Sequence, residues 1–279
     1  MSKHNMLNRR IKISGNLIFE TAFHIGSGKE GELAAKMGIL READGRPILP
    51  GSTLKGNFRA FAERLSEYLG FTACLMDSSL SEKNCVSDEN FRKTVVDEKS
   101  QKTVEKEFQA LKTEDEKITW LSNNTCDICR LFGSPLQSSR IFFSDGTLTR
   151  WGQRIQIRDG VCIDRDTETA RPGAKYDFEV VPAEAVFEVT IELENPNDRE
   201  LPLIAAVLAE WESGFRLGGF TSRGLGRVKL TDKKVESVDY TDFDQLKSYL
   251  LTKQMAEAGS LLEDSLESML RVEGESKHA

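Results

Sequence analysis

The segment from Phe187 to Leu193 alternates strictly between apolar and polar residues, and this alternation constrains the fold more than any other feature. Because successive side chains of a strand point to opposite faces, the pattern predicts a strand with one face in the core and one in solvent. Residues 201–215 follow with apolar side chains at helical spacing, including Trp211. A half-buried strand of this kind is typical of an antiparallel sheet.

Two further segments predict how that sheet is completed. Residues 10–20 alternate partly and indicate a first strand. After Pro50 and Gly51, Ser52 is predicted to cap a helix. The apolar residues of that helix recur at helical spacing: Leu54, Phe58, Phe61, Ala62, Leu65 and Leu69. The β-α-β-α-β order predicts an α+β fold with a ferredoxin-like (RRM-like) core.

The composition indicates a folded chain with a substantial core. Its 279 residues are 39% hydrophobic and 30% charged, which permits one large domain or two small ones. No run approaches the roughly 18 apolar residues of a membrane span. The polar N-terminus also lacks the apolar stretch of a signal peptide. We therefore expect a soluble cytoplasmic protein with no membrane partner.

Charge is distributed unevenly along the chain. A net charge of −7 argues against binding to nucleic acid, because such binding depends mainly on neutralisation of the phosphates by basic side chains. However, residues 231–279 hold 11 acidic and 6 basic side chains, whereas residues 46–64 hold four basic and one acidic. Local basic patches can therefore bind RNA on this chain. Residues 77–117 are rich in polar and charged side chains and predict a solvated insertion.

A glycine-rich segment, residues 217–228, contains four glycines and two arginines. Glycines allow backbone N–H groups to approach an anionic backbone closely, and arginines add positive charge. The segment lacks the Gly-Lys-Ser/Thr ending of a P-loop and does not open a helix as a dinucleotide-binding motif does. Taken alone, it is equally consistent with a tight turn that carries an exposed arginine.

Five segments, in this order and at these separations, resemble the RAMP superfamily, specifically the repeating backbone subunit of type III CRISPR effector complexes. They are residues 19–26, 46–59, 131–134, 163–182 and the glycine-rich segment. The resemblance covers about residues 11–230. It implies a RAMP domain over residues 1–240, with an insertion at about 72–130, a β-hairpin thumb at about 150–180, and an acidic helical extension over 241–279.

The resemblance implies a ribonucleoprotein complex for antiviral defence. The expected partners are a CRISPR guide RNA, the complementary target RNA, further copies of this chain or related RAMP subunits, and the large polymerase-like and small subunits. The RNA-binding candidates lie on the capped helix, the thumb and the glycine-rich segment: Ser52, Lys55, Arg59, Arg154, Arg158, Arg165, Gly218, Gly219, Arg223, Gly224 and Gly226. Lys55 and Arg59 lie four residues apart and can reach one anion together, although a solvated helix face gives the same pattern.

Cysteine spacing predicts a metal site. Disulfides are unexpected in an intracellular chain, and Cys126 and Cys129 have the two-residue gap that suits tetrahedral zinc. Cys74 and Cys85 can supply the remaining pair of a structural zinc site. A redox motif and a chance CxxC remain alternatives. Cys162 is expected to be a free thiol.

The resemblance places a catalytic aspartate in the loop before the capped helix, and this chain has Lys36 at that position. A protonated amine accepts no proton and binds no Mg²⁺, so we expect a subunit that does not cleave RNA. Two alternatives stay open. One is a metal-dependent target-RNA endoribonuclease that uses a nearby carboxylate such as Glu32. The other is a stand-alone guide-processing ribonuclease with His24 as its base, although a core or loop-bracing histidine fits that position as well.

Overall fold

The computed structural model of the protein describes residues 6–28, 37–74, 85, 108–134 and 137–276. The helices are α1 (Gly51–Ser66), α2 (Glu114–Asn124), α3 (Asp127–Phe132), α4 (Leu201–Ser213), α5 (Phe243–Thr252) and α6 (Leu261–Ser276). The strands are β1 (Arg9–Phe19), β2 (Ile141–Phe143), β3 (Thr147–Arg150), β4 (Gln156–Ile163), β5 (Ala170–Val180), β6 (Val186–Glu194), β7 (Phe215–Arg216), β8 (Arg227–Asp239) and β9 (Ala256–Glu257).

Within the described residues, one antiparallel sheet has the strand order β2-β6-β1-β8-β7, with β3 also paired to β6 and β9 to β8. β1 lies at the centre, where Leu17 is opposite Phe187 of β6 and Leu230 of β8. The predicted strands at 10–20 and 187–193 are confirmed as β1 and β6. The predicted α+β class with an antiparallel sheet is confirmed as well.

Helices α1 and α4 join the buried face of the sheet in one core. The ring of Phe58 in α1 packs edge-on against Trp211 of α4, with centroids 5.2 Å apart. Trp211 in turn stacks on Phe215 at 4.6 Å and donates its indole N–H to Asn57 Oδ1 at 3.1 Å. The helix predicted at 201–215 is therefore confirmed, although it ends at Ser213.

The start of α1 differs from the prediction that Ser52 caps this helix. The helix begins at Gly51, and the residue at its N-cap position is Pro50. The Pro50 side chain makes no hydrogen bond to the free N–H groups of the first turn. Instead, Asp145 reaches in from the turn between β2 and β3 and accepts the Gly51 N–H at 2.6 Å. The Ser52 prediction was wrong because the acceptor is 94 residues away in sequence.

Strands β4 and β5 form a two-stranded hairpin that is separate from the main sheet. The pairing runs from Gln156 opposite Val180 to Ile163 opposite Ala170. Almost all of β4 is exposed, including Ile163 at 63%. The hairpin lies within residues 150–180, where a thumb was predicted.

The C-terminal segment is not one continuous helix, because β9 separates α5 from α6 and pairs with β8. Leu262 at the start of α6 is fully buried in the core. Lys233 of β8 donates to Glu212 of α4 at 2.9 Å and to Glu263 of α6 at 2.6 Å. No helix in the described part of the chain has the length and apolar character needed to cross a membrane.

Candidate functional site

The four predicted cysteine ligands lie together. The sulfur atoms of Cys74, Cys85, Cys126 and Cys129 are all within 4.8 Å of one another, and those of Cys74 and Cys129 are 3.6 Å apart. A tetrahedral zinc with metal–sulfur bonds of about 2.3 Å needs sulfurs about 3.8 Å apart. All four residues are at most 9% exposed. The cluster can therefore hold one tetrahedral metal ion.

Reciprocal hydrogen bonds bring the two halves of this cluster together. Asp127, the first residue of α3, accepts from the backbone N–H and the hydroxyl of Thr72, each at 2.8 Å. The Thr72 hydroxyl also accepts the Asp127 N–H at 3.0 Å. Burial acts to raise the pKa of Asp127, but these bonds and the Arg130 guanidinium outweigh it and lower that pKa. The link fixes Cys74 beside α3.

The electrostatics of the thiols favour a cation among them. Hydrogen bonds from the thiols of Cys129 and Cys85 lower the pKa of Cys126. The same contacts with Cys126 raise the pKa of Cys85 and of Cys129. One thiolate therefore opposes ionisation of its neighbours. A metal ion would remove this conflict, because its charge deprotonates the thiols that bind it.

Lys55 and Arg59, the predicted anion-binding pair of α1, both have partners inside the protein. Lys55 Nζ donates to Ser139 Oγ at 2.9 Å, and partial burial lowers its pKa, with a further contribution from the Arg59 charge. Arg59 donates to Glu63 at 2.9 Å and to Cys129 Sγ at 3.4 Å. That the two residues share an RNA phosphate stays a prediction, and Arg59 would have to leave these partners.

The glycine-rich segment closes onto His24. Gly219 N–H donates to the His24 carbonyl at 2.7 Å, and Gly218 adopts φ +91° so close to it that a Cβ would lie 2.5 Å from that oxygen. His24 is 6% exposed, and its Nδ1 lies 2.7 Å from the Glu179 carbonyl oxygen. Because a carbonyl only accepts, Nδ1 carries the proton. This geometry gives His24 a bracing role.

A buried ion pair anchors the segment of residues 37–41 to strand β5 of the hairpin. Glu179 is fully buried, and its carboxylate lies 2.8 Å from Arg41 Nη2 and accepts the Ile39 N–H at 3.1 Å. The Glu179 N–H donates to the Met37 carbonyl at 3.0 Å. The segment 37–41 is thus tied to the base of the hairpin.

An aromatic contact joins the glycine-rich segment to the same hairpin. Phe220 stacks on Phe178 of β5, with centroids 4.3 Å apart. The Arg223 guanidinium lies 5.7 Å from the Phe220 ring centre and donates to the Tyr176 hydroxyl. Arg223 is nevertheless exposed, as are the hairpin arginines Arg154, Arg158 and Arg165. Exposed guanidinium groups therefore extend from the glycine-rich segment along the hairpin.

Sequence reasoning missed Glu179, Arg41 and Phe220. Glu179 carried a usable signal, because it is a charged residue in the apolar run from Phe178 to Val181. Lys36 and Glu32, the residues on which cleavage was argued, lie outside the described residues.

Comparison with known proteins gives two matches. A family model described as the RAMP superfamily matches residues 16–229, which extend from β1 into β8. The chain is also similar to a protein of Methanocaldococcus jannaschii named CRISPR system Cms endoribonuclease Csm3. The two are 26% identical over 255 residues, and the match covers 82% of each protein.

Proposed function

This chain belongs to the RAMP superfamily, and from that premise we propose that it is a guide-RNA-binding backbone subunit of a type III CRISPR interference complex. One observation carries the proposal. Three family motifs that are distant in sequence meet around His24: the segment 19–26, the glycine-rich segment and the base of the hairpin. A surface built from these motifs unites backbone N–H groups with exposed arginines, which suits a phosphate backbone.

We assign RNA contacts to the surface that these motifs form. Gly224 has open space around it, so a phosphate can approach its backbone. Arginine suits the hairpin because its guanidinium binds phosphate and stacks on bases. The assigned residues are Ser52, Lys55, Arg59, Arg154, Arg158, Arg165, Gly218, Gly219, Arg223, Gly224 and Gly226. Sequence specificity would come from base pairing between guide and target, as in other guided effectors.

The strand order supports the finer fold assignment. The strands β2, β6, β1 and β8 are adjacent in that order, α1 lies between β1 and β2 in sequence, and α4 lies between β6 and β8. We propose that these elements form the ferredoxin-like β-α-β-β-α-β core of a RAMP domain over residues 1–240. The hairpin is its thumb, residues 72–130 its insertion and 241–279 its acidic extension.

We further propose that Cys74, Cys85, Cys126 and Cys129 hold a structural zinc ion. Four buried thiols at tetrahedral spacing fit zinc, which prefers such sulfur ligands. The metal would tie the two ends of the insertion together beside the core, since Cys74 lies near its start, shortly after α1, and Cys126 and Cys129 lie near its end. Its role would be stability, because four protein ligands leave no open position for chemistry.

Lys36 supports a subunit that binds RNA without cutting it. The expected partners are the guide RNA, the complementary target RNA, further RAMP subunits, and the large polymerase-like and small subunits. The Methanocaldococcus relative is named an endoribonuclease, which favours one alternative: a metal-dependent endoribonuclease that uses Glu32 or another nearby carboxylate with Mg²⁺. A stand-alone processing enzyme with His24 as its base is disfavoured, because His24 is only 6% exposed and substrate would have to reach it.

Target cleavage distinguishes these functions. The complex assembled with a guide should leave complementary RNA intact in magnesium, and a Lys36→Asp variant should assemble equally well and can gain cleavage at regular intervals. Metal-dependent cleavage by the natural protein that disappears in Glu32→Ala would establish the endoribonuclease alternative. Cleavage of precursor guide RNA by the isolated chain that disappears in His24→Ala would establish the processing enzyme.

Guide binding by the assigned surface is tested separately. Lys55→Ala and Arg223→Ala should each weaken guide retention and reduce the slope of log affinity against log salt by about 0.7 for each single-strand phosphate that the protein no longer neutralises. Lys247→Ala is the matched control, because Lys247 is exposed on α5, outside the family match. Equal retention by all three variants, each correctly folded, would refute the assigned surface.

A further inference from the structure

We propose that Arg59 is a positioning residue of the cysteine cluster: its guanidinium donates a hydrogen bond to the Cys129 sulfur and offsets the negative charge of the loaded site. This inference rests on the proposed metal site. It assigns Arg59 a role on the inner side of α1, and the RNA contact predicted from its spacing with Lys55 would require Arg59 to leave Cys129.

The geometry fixes the guanidinium plane of Arg59 beside the cluster. Its Nε donates to Glu63 at 2.9 Å, its Nη1 to the Gly133 carbonyl at 3.4 Å and its Nη2 to Cys129 Sγ at 3.4 Å. Its Cζ also lies 6.0 Å from the centre of the Phe132 ring. The side chain is only 17% exposed. Three differently placed acceptors therefore hold the planar group in one orientation.

The charge of the loaded site explains why such a donor is useful. Zinc bound by four thiolates has a net charge of about −2, and this charge would lie among side chains that are almost fully buried. Two backbone N–H groups already point at the sulfurs, from Cys126 to Cys85 at 2.9 Å and from Cys129 to Cys126 at 3.4 Å. Arg59 adds a positively charged donor at Cys129.

Among the residues that the structure describes, the other charged side chains beside the cluster do not supply this positive charge. Arg130, the cation next to Cys129 in sequence, is paired with Asp127. Glu63 is the carboxylate that shares Arg59, so it withdraws part of the positive charge from the sulfurs. The arrangement predicts opposite effects for the two partners: loss of the Arg59 charge should weaken metal binding, and loss of the Glu63 charge should not.

Metal affinity and cobalt spectra test this inference. In Arg59→Gln, competition with a chromophoric chelator should show zinc affinity lowered about 10- to 100-fold, the usual effect of removing a group that orients a metal ligand. In the cobalt(II)-loaded protein, the thiolate-to-cobalt charge-transfer band should move to longer wavelength. A thiolate that has lost its hydrogen-bond donor transfers charge to the metal at lower energy. Arg59→Lys, which keeps the charge, should recover part of both effects.

Two control variants separate this role from general stability. Arg64→Gln removes a cation from the same helix that lies over the Phe61 ring instead of the cluster, so it should bind metal like the natural protein. Glu63→Gln should bind zinc at least as tightly as the natural protein. If Arg59→Gln fails to fold, the other two variants decide, because Arg59→Lys should bind zinc more weakly than the natural protein and Glu63→Gln should not.

The outcomes also separate this inference from the proposed zinc site. A natural protein that binds neither zinc nor cobalt(II) through thiolates would refute the metal site itself. A natural protein that binds metal, with unchanged affinity and unchanged cobalt spectra in Arg59→Gln and Arg59→Lys, would overturn the role of Arg59 alone. A tenfold loss of affinity in Glu63→Gln would also overturn it.

Discussion

Replacing Glu179 by alanine should destabilise the protein strongly, because it removes the buried carboxylate that pairs with Arg41 and accepts the Ile39 N–H. Glu179 is fully buried, and its partner Arg41 is only 12% exposed at 2.8 Å. Breaking a buried pair by removing one member costs about 3–5 kcal/mol. Since Glu179 also accepts the Ile39 N–H, the upper part of that range is expected. Typical domains have only about 5–15 kcal/mol of stability in total.

The assay is urea unfolding of a double-mutant cycle. Glu179→Ala is compared with Arg41→Met and with the double variant, which removes both charges. The double variant should be more stable than the sum of the two single losses predicts, because each single loss already includes the energy of the Glu179–Arg41 pair. Hydrogen exchange should show faster opening of residues 37–41 in Glu179→Ala than in the natural protein.

The exposed pair of Glu42 and Arg46 is the matched control. Its separation of 2.9 Å is almost the same, but both side chains are 50% exposed. Removing Glu42 should therefore cost much less than removing Glu179, because solvent screens an exposed pair. A loss of less than about 1 kcal/mol in Glu179→Ala, equal to that in Glu42→Ala, would refute the account of a buried anchor between the segment 37–41 and the hairpin.

Three further predictions concern the glycine-rich segment, the C-terminal helix and the metal. Urea unfolding should show that Gly226→Ala destabilises the protein more than Gly224→Ala. Both glycines have left-handed φ, which costs a residue with a side chain about 1–2 kcal/mol. Only at Gly226 would the new Cβ also collide with backbone, 2.1 Å from the Leu217 oxygen. Burial lowers the pKa of Lys233, but hydrogen bonds to two glutamates outweigh it and raise that pKa above its ordinary 10.5. Its contribution is at most about 1 kcal/mol, because both glutamates are more than a third exposed. It should be constant from about pH 6, where both glutamates are ionised, to pH 10.5 and disappear above pH 10.5, so the stability difference from Lys233→Met should shrink there. Chelation should accelerate hydrogen exchange in residues 71–74 and α3 more than in the main sheet, and equal acceleration everywhere would contradict a local metal link.

The main elements could be predicted from sequence because their signals are local. The alternation from Phe187 to Leu193 specifies a half-buried strand, and observed β6 extends it by one residue at each end. The cluster of four cysteines was also predictable, since Cys126 and Cys129 have the spacing of metal ligands. These features need no knowledge of the tertiary structure.

The rest depended on contacts between distant parts of the chain. The acceptor at the start of α1 is Asp145, and nothing near Ser52 in sequence indicates it. Arg59 has the sequence pattern of a surface cation four residues from Lys55, yet its partner Cys129 lies 70 residues away. The C-terminal helical pattern does not reveal that β9 interrupts it or that Leu262 enters the core. Local periodicity specifies the helices and strands, whereas the contact partners of individual side chains depend on how those helices and strands pack.

Isolation of the native assembly through a tag on this chain, followed by sequencing of the bound RNA and native mass spectrometry, tests the proposed function most directly. The account predicts short RNAs derived from CRISPR repeats and spacers, with this chain in a ribonucleoprotein that contains other RAMP subunits. Arg223→Ala should reduce the bound RNA, and Lys247→Ala should not. Recovery of the natural chain as a folded, RNA-free monomer would contradict the account.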